Sequence, residues 1–209
     1  YFKDEKGNYT KLKQKNVDTG LGLERMAMLL QGKETPFDTE LFKPVMDKLQ
    51  ELARENDSIE SRRIVAEHLR ASMMIIQDGG LPSNVDRGYI LRRLIRRMIR
   101  HARKLNIDLN SDFEVTLAEL IINKYSKYYE ELSKNKERII DELTKEKVKF
   151  SKTLEKGLKV FEKETANLNK IDKDLAFKLY DTYGFPIELT CELAEEKNME
   201  VDTEGFKEK

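Results

Sequence analysis

Six arginines stand between Arg92 and Arg103 in the stretch "LRRLIRRMIRHARK", and no acidic residue follows Asp86 until Asp108. Arg92, Arg96, Arg100 and Arg103 are three or four apart and share one helical face, with Arg93 and Arg97 beside them. Like charges at that spacing repel by about 0.2–0.5 kcal/mol per pair in an isolated helix. Such a helix needs an anionic counterpart. The phosphates of a nucleic acid would serve, and so would carboxylates elsewhere in the same fold. The chain balances 39 Lys and Arg against 39 Asp and Glu, so both sources stay open.

A second stretch with chemical potential is "NVDTGLGLERMAMLLQ", residues 16–31. A strand entering a Gly-x-Gly turn, followed by a helix with Glu24 and Arg25 in its first turn, places bare backbone and a guanidinium at a helix start. That arrangement suits a nucleotide phosphate or a small carboxylate. Two glycines also serve many strand-to-helix turns for steric reasons alone, so spacing by itself leaves both readings standing.

The elements that must position these residues are mostly helical. Around Gly7 and Asn8, short aromatic and β-branched segments read as strands. Leu23, Met26, Ala27 and Leu30 then take helical spacing, with Gly32 as a stop. Leu41 to Leu52 mark a second helix. Ile64 to Ile76 mark a third, ended by Gly79, Gly80 and Pro82. In the arginine helix, Ile90, Leu91, Leu94, Ile95 and Met98 are the expected buried stripe. Another helix is expected around Val115 to Tyr125. From Asn135 to Leu168 there is no proline, and Ile140, Leu143, Phe150, Leu154, Leu158 and Phe161 keep helical spacing. This predicts one long helix, or one arm of a helical hairpin, whose Lys and Glu residues read as an ordinary solvated face. "FKLYDTYGFPIELTCELAEEK" closes the chain as helix, tight turn and helix, with Asp181 in the turn and Pro186 in a first helical turn. Strands are expected only in the first ~20 residues.

Bulk properties agree with a globular chain. Hydrophobic residues make up 39%, enough for a core, and the 37% charged fraction fits helices with solvated faces. No apolar run approaches the ~20 residues needed to span a bilayer. The single cysteine, Cys191, forms no internal disulfide, which fits a cytoplasmic location. His68, His101 and Cys191 lie in helical segments without ligand spacing, so no zinc site is expected. The chain begins at Tyr1 and ends within what reads as the first turn of a helix, so it is expected to be part of a longer protein.

Residues 16–31 resemble motif 3 of the class II aminoacyl-tRNA synthetases, in the form found in the alanyl-tRNA synthetase family. "RIVAEHLRASMMIIQDGGLPSNVDRGYILRRLIRRMIRHARKL" is similar to that family's tRNA-recognition domain, and "FKLYDTYGFPIELT" to its later segment. The three blocks stand in the family's order and cover nearly the whole chain.

The resemblance implies a mainly α fold. Residues 1–33 would be the end of the class II antiparallel-sheet catalytic core, and residues 34–209 a helical tRNA-recognition domain. It further implies that Arg25, with Gly22, contacts ATP, which is accompanied by Mg2+ in the complete enzyme. Asp18 would hold the ammonium group of alanine, and Gly20 would leave a pocket sized for a methyl group. Asn84 and Asp181 would read a G·U pair of the tRNA(Ala) acceptor stem from the minor groove. There guanine offers its exocyclic amine and uracil an acceptor oxygen. Arg92, Arg93, Arg96, Arg97 and Arg100 would be candidates for the phosphate backbone. Read locally, Asp18, Asn84 and Asp181 also look like helix caps, and Arg25 could pair with a nearby carboxylate.

Motifs 1 and 2 precede this region in the family, so the chain is expected to need a missing N-terminal catalytic portion before it can activate alanine. A pocket sized for alanine discriminates weakly against glycine, and proofreading would fall to another part. Two other readings remain. One is a non-catalytic helical RNA-binding module of the same fold; the other is a domain whose arginines serve only internal ion pairs.

Overall fold

A two-residue hairpin opens the chain in the computed structural model, which describes residues 1–209 except 15, 17, 18 and 54–57. Strands β1 (Phe2–Lys3) and β2 (Tyr9–Thr10) pair antiparallel, Phe2 opposite Thr10. Asp4 holds the turn: its carboxylate accepts from the Lys6 and Asn8 amides at 2.9 and 2.8 Å. Helix α1 (Leu23–Leu30) follows, and Gly32 ends it as expected. A 3-10 turn at Pro36–Asp38 is closed by Asp38 accepting from the Thr35 amide and hydroxyl. Residues Tyr1–Leu41 form one compact unit, in which Gln31 donates to Glu40 at 2.5 Å.

The second unit, Phe42–Lys209, is helical. Its helices are α2 (Lys43–Leu52), α3 (Ile59–Gln77), α4 (Asp86–Lys104), α5 (Phe113–Tyr125), α6 (Glu130–Lys134) and α7 (Lys136–Thr165). After them come α8 (Lys173–Tyr183), α9 (Ile187–Glu195) and α10 (Thr203–Lys207). Helices α3 and α4 form an antiparallel hairpin, and α7, 30 residues and about 45 Å long, packs across both. The mainly α expectation holds, and α7 is the single long helix that the spacing predicts.

Apolar burial supplies the framework. Val65, Leu69, Met73 and Ile76 on α3 meet Leu91, Ile95, Met98 and Ile99 on α4, all without solvent exposure. Each such side chain contributes roughly 1.5–3 kcal/mol. The expected α4 stripe needs one correction. Ile90 is 45% exposed and Leu94 only half-buried, while Ile99 and Ala102 are fully buried. The stripe is rotated because α4 is packed on two sides, by α3 and by α7, and not on one.

Strands also occur outside the first ~20 residues. β3 (Lys170–Ile171) and β4 (Glu200–Val201) pair in parallel, bracketing α8 and α9. Two residues per strand, thirty positions apart, carry no alternation that sequence inspection can detect. Asp172 and Asp202, directly after these strands, cap α8 and α10 by accepting from Leu175 and Gly205 amides.

The turn between α8 and α9 is shaped by two glycines. Gly184 ends α8 at φ +71, and a Cβ there would meet Arg96 Nη1 at 2.4 Å. Gly157 on α7 lets the turn approach: a Cβ would lie 2.5 Å from the Phe185 ring. Phe185 is thereby fully buried, edge-on to Phe150.

Candidate nucleic-acid interface

Arg93, Arg97, Arg100 and Lys104 of α4 meet a ladder of glutamates on α9 and its C-cap. Glu188, Glu192 and Glu196 recur every four residues and so share one face. Arg93 donates to Glu188 at 2.6 Å, and Tyr89 to its other oxygen at 2.9 Å. Arg97 contacts Glu192 at 3.2 Å. Arg100 lies 3.5 Å from Glu192 and donates to Glu196 at 2.6 Å, an oxygen pair completed by Lys104 at 2.8 Å. His101 is buried between Ser61 at 3.0 Å and Glu192 at 2.8 Å.

The titration behaviour follows from this crowding. Burial opposes ionisation of Glu192, but hydrogen bonds from His101 and Arg97 and the Arg100 charge outweigh it and hold its carboxyl down, to about 2. Burial, then the Arg97 charge, lowers His68 to about 4; its Nε2 stands 3.2 Å from Arg97 Nη1 and can only accept there when neutral.

The opposite side of α4 faces α7. Arg96 donates to Glu146 at 2.6 Å and to the Gly184 carbonyl, and stacks over the Phe150 ring at 5.1 Å. Arg96 and Arg100 are 7% and 5% exposed, so their guanidiniums are interior groups. Arg92, half-buried, lies 3.6 Å from Glu146 and donates to the Asn84 side-chain oxygen. All five candidate arginines thus have a carboxylate of the same chain within 4 Å.

Asn84 and Asp181, 97 positions apart in sequence, line one open cleft of about 250 Å³ with Tyr89, Arg92, Lys149 and Tyr180. Both are exposed. Their local alternatives are not realised. The N-cap of α4 is Val85, whose amide is satisfied by Ser83 and not by Asn84. Asp181 sits in the last turn of α8, and not in the loop before Pro186 where the local sequence pattern puts it. The helix runs further because Gly184, not Asp181, supplies its left-handed end. With its oxygen held by Arg92, Asn84 presents its amide NH2 as a donor, whereas the Asp181 carboxylate can only accept. A paired donor and acceptor on one wall is a geometry that can address the edge of a base pair.

In the first unit, Gly22 is the N-cap of α1 and the Arg25 side chain runs back along it, 3.6 Å from where a Gly22 Cβ would stand. Arg25 is exposed and forms no ion pair among the described residues. Gly20 and Gly22 have no left-handed backbone, and a Cβ at Gly20 would meet open space. The turn itself therefore does not demand glycine at position 20. Asp18 lies outside the described residues. Among the described residues no group of three His, Cys, Asp or Glu side chains converges as metal ligands do, and no helix is long and apolar enough to cross a membrane.

The α9 glutamate ladder is what sequence reading missed. Its signal was present: acids at 188, 192 and 196 match the three- and four-residue spacing of the α4 cations, but nothing in one sequence says that the two helices meet.

The family model of the class II (A) tRNA synthetases matches residues 1–209. The chain belongs to this family. It is 40% identical over 211 residues to an alanine–tRNA ligase of Thermotoga maritima, covering 99% of this chain and 24% of that protein. An alanine–tRNA ligase of Borreliella afzelii is 45% identical over 217 residues, covering all of this chain and 36% of that protein. One from Prochlorococcus marinus is 43% identical over 215 residues, covering all of this chain and 24% of that protein. Within the class II family, then, the chain spans about a quarter to a third of the length of these relatives.

Proposed function

We propose that this chain is the part of an alanine–tRNA ligase that supplies motif 3 and reads the acceptor stem of tRNA(Ala). The observation that carries the reading is the cleft in which Asn84 and Asp181 stand free of capping roles. Asp181 would accept from the guanine exocyclic amine and Asn84 would donate to the uracil O2 of a G·U pair, from the wide A-form minor groove. Arg92 holds Asn84 in its donor orientation. Arg93 and Arg97 keep partly exposed guanidiniums and are candidates for nearby phosphates, while the buried Arg96 and Arg100 hold the framework around the cleft.

The catalytic half of the proposal rests on the first unit. Arg25, extended along Gly22, would take a charge-assisted contact to ATP. Asp18 would hold the alanine ammonium, and Gly20 would keep space beside the amino-acid methyl group. Mg2+ would arrive with the ATP phosphates. The remaining catalytic residues, and any proofreading, would come from outside these residues, and the site of action would be the cytoplasm.

Binding of the complete ligase to acceptor-stem RNA hairpins carrying G·U or G·C tests the first half. The expected result is tighter binding and faster charging of the G·U hairpin; equal values would count against the assignment. For the second half, Arg25→Ala should abolish ATP–pyrophosphate exchange and leave tRNA affinity unchanged. Normal exchange would remove Arg25 from the site.

A further inference from the structure

Helix α7 carries a second cationic row. Lys145, Lys149, Lys152, Lys156, Lys159 and Lys163 alternate steps of four and three residues. At 100° per residue they stay within a strip about 80° wide. All six are exposed. Between Lys145 and Lys163 no acidic residue falls in that strip. Lys145 is paired with Asp141 at 2.5 Å and Glu142 at 3.1 Å. The other five have no carboxylate within 4 Å among the described residues. Of the acids that flank the strip, Glu155 is paired with Arg103 and Glu164 with Lys178, while Glu162 stands beside Lys159 and Lys163 in the helix. Like charges at this spacing repel. On α4 the same repulsion is answered by α9; on α7, among the described residues, only Lys145 of this row has carboxylates within 4 Å, and Glu155 offsets Lys159 from farther away.

The row begins at the cleft. Lys149 lines the same cavity as Asn84, Asp181 and Arg92. From Lys149 to Lys163 the row follows the helix for about 21 Å, long enough to lie beside several phosphates. Lysine suits such a surface because a point charge on a flexible stem follows a backbone without reading bases.

We propose that Lys149, Lys152, Lys156, Lys159 and Lys163 form the track that holds the phosphate backbone of an RNA duplex entering the Asn84–Asp181 cleft. The assignment of RNA as the partner rests on the reading of that cleft. The track supplies sequence-independent affinity and sets the direction in which the duplex leaves the cleft.

The test is the salt dependence of binding between the complete protein and an acceptor-stem RNA hairpin, followed by fluorescence anisotropy. A triple variant, Lys152→Gln, Lys156→Gln and Lys159→Gln, should bind about 10- to 100-fold more weakly at low salt. Its slope of log affinity against log salt should be shallower by about two to three, roughly one for each phosphate that is no longer neutralised. The ratio of G·U to G·C affinities should not change. A control triple, Lys43→Gln, Lys127→Gln and Lys134→Gln, removes the same charge elsewhere and should leave the slope in place. An unchanged slope in the first triple, or an equal change in the control, overturns the track. Because the six substituted positions are exposed, circular dichroism should show both variants folded. If the unaltered protein shows no G·U preference, the cleft reading fails separately, while the slope still reports on the lysines.

Discussion

Helix α4 sets Arg93, Arg97, Arg100 and Lys104 against α9, and each meets a glutamate within 4 Å. Helix α7 sets Lys149, Lys152, Lys156, Lys159 and Lys163 outward, and they meet none among the described residues. In sequence the arginine helix is the more conspicuous, because no acid follows Asp86 at its start, whereas acidic residues offset most of the cations of α7. In the fold the order of availability is reversed. A local excess of charge measures how much counter-charge a segment needs, not whether the counter-charge comes from a ligand. Arginine tolerates the interior well because its planar fork can bind a carboxylate, a carbonyl and an aromatic face together, as Arg96 does with Glu146, Gly184 and Phe150.

That contrast is most directly broken at Glu146. Its loss leaves the buried Arg96 without a counter-charge, and Glu146→Ala should lower unfolding free energy by about 3–5 kcal/mol in urea titrations. A much smaller change would mean that Arg96 reaches water and that α4 is less closed than its distances indicate.

A smaller effect is expected from acid. His68, lowered from 6.5 to about 4, binds protons more readily in the unfolded chain. Glu192, lowered from 4.5 to about 2, does so in a more acidic range. Both contributions are fully present above about pH 6.5 and are lost as pH falls, first between 6.5 and 4 through His68, then between 4.5 and 2 through Glu192. His68→Gln should flatten the first limb, removing roughly 1–3 kcal/mol of pH dependence measured by thermal unfolding at successive pH values. An unaltered profile would show that burial and the Arg97 charge do not keep His68 neutral.

The cleft residues sharpen the contrast from the other side, since they should matter for binding and not for folding. Asp181→Ala should reduce the preference for G·U over G·C by about 1–3 kcal/mol in hairpin binding, with unfolding free energy unchanged within about 0.5 kcal/mol. Retained preference would leave Asp181 an ordinary surface residue of α8. The smallest effect belongs to the exposed rung of the α4–α9 ladder. Glu188→Ala, at a pair whose side chains are 37% and 43% exposed, should cost about 0.2–1 kcal/mol in the same unfolding assay. A loss as large as that at Glu146 would show that the ladder acts as one unit.

Much of the architecture could be read from the chain. The periodicity of Ile64 to Ile76 and of Phe150 to Phe161, with stops at Gly32, Gly79 and Gly80, reflects local rules of helix burial and termination. The candidate site was legible only through its resemblance to a family. Asn84 looks like a cap and Asp181 like a turn residue, and neither plays that part, because Ser83 satisfies the Val85 amide and Gly184 supplies the left-handed end of α8. The β3–β4 pair had no local signal at all.

By itself the sequence determined which segments become helices, where they stop and that α4 must find anions, since these follow from interactions between residues a few positions apart. Only the tertiary structure decided which anions those are, that Asn84 and Asp181 share a wall, and that the unanswered cations lie on α7. Those outcomes depend on pairs of residues far apart in the chain, as with Arg96 and Glu146 or Arg93 and Glu188. A Coulomb interaction is set by distance in space and by exclusion of water, neither of which a linear chain specifies until it has packed.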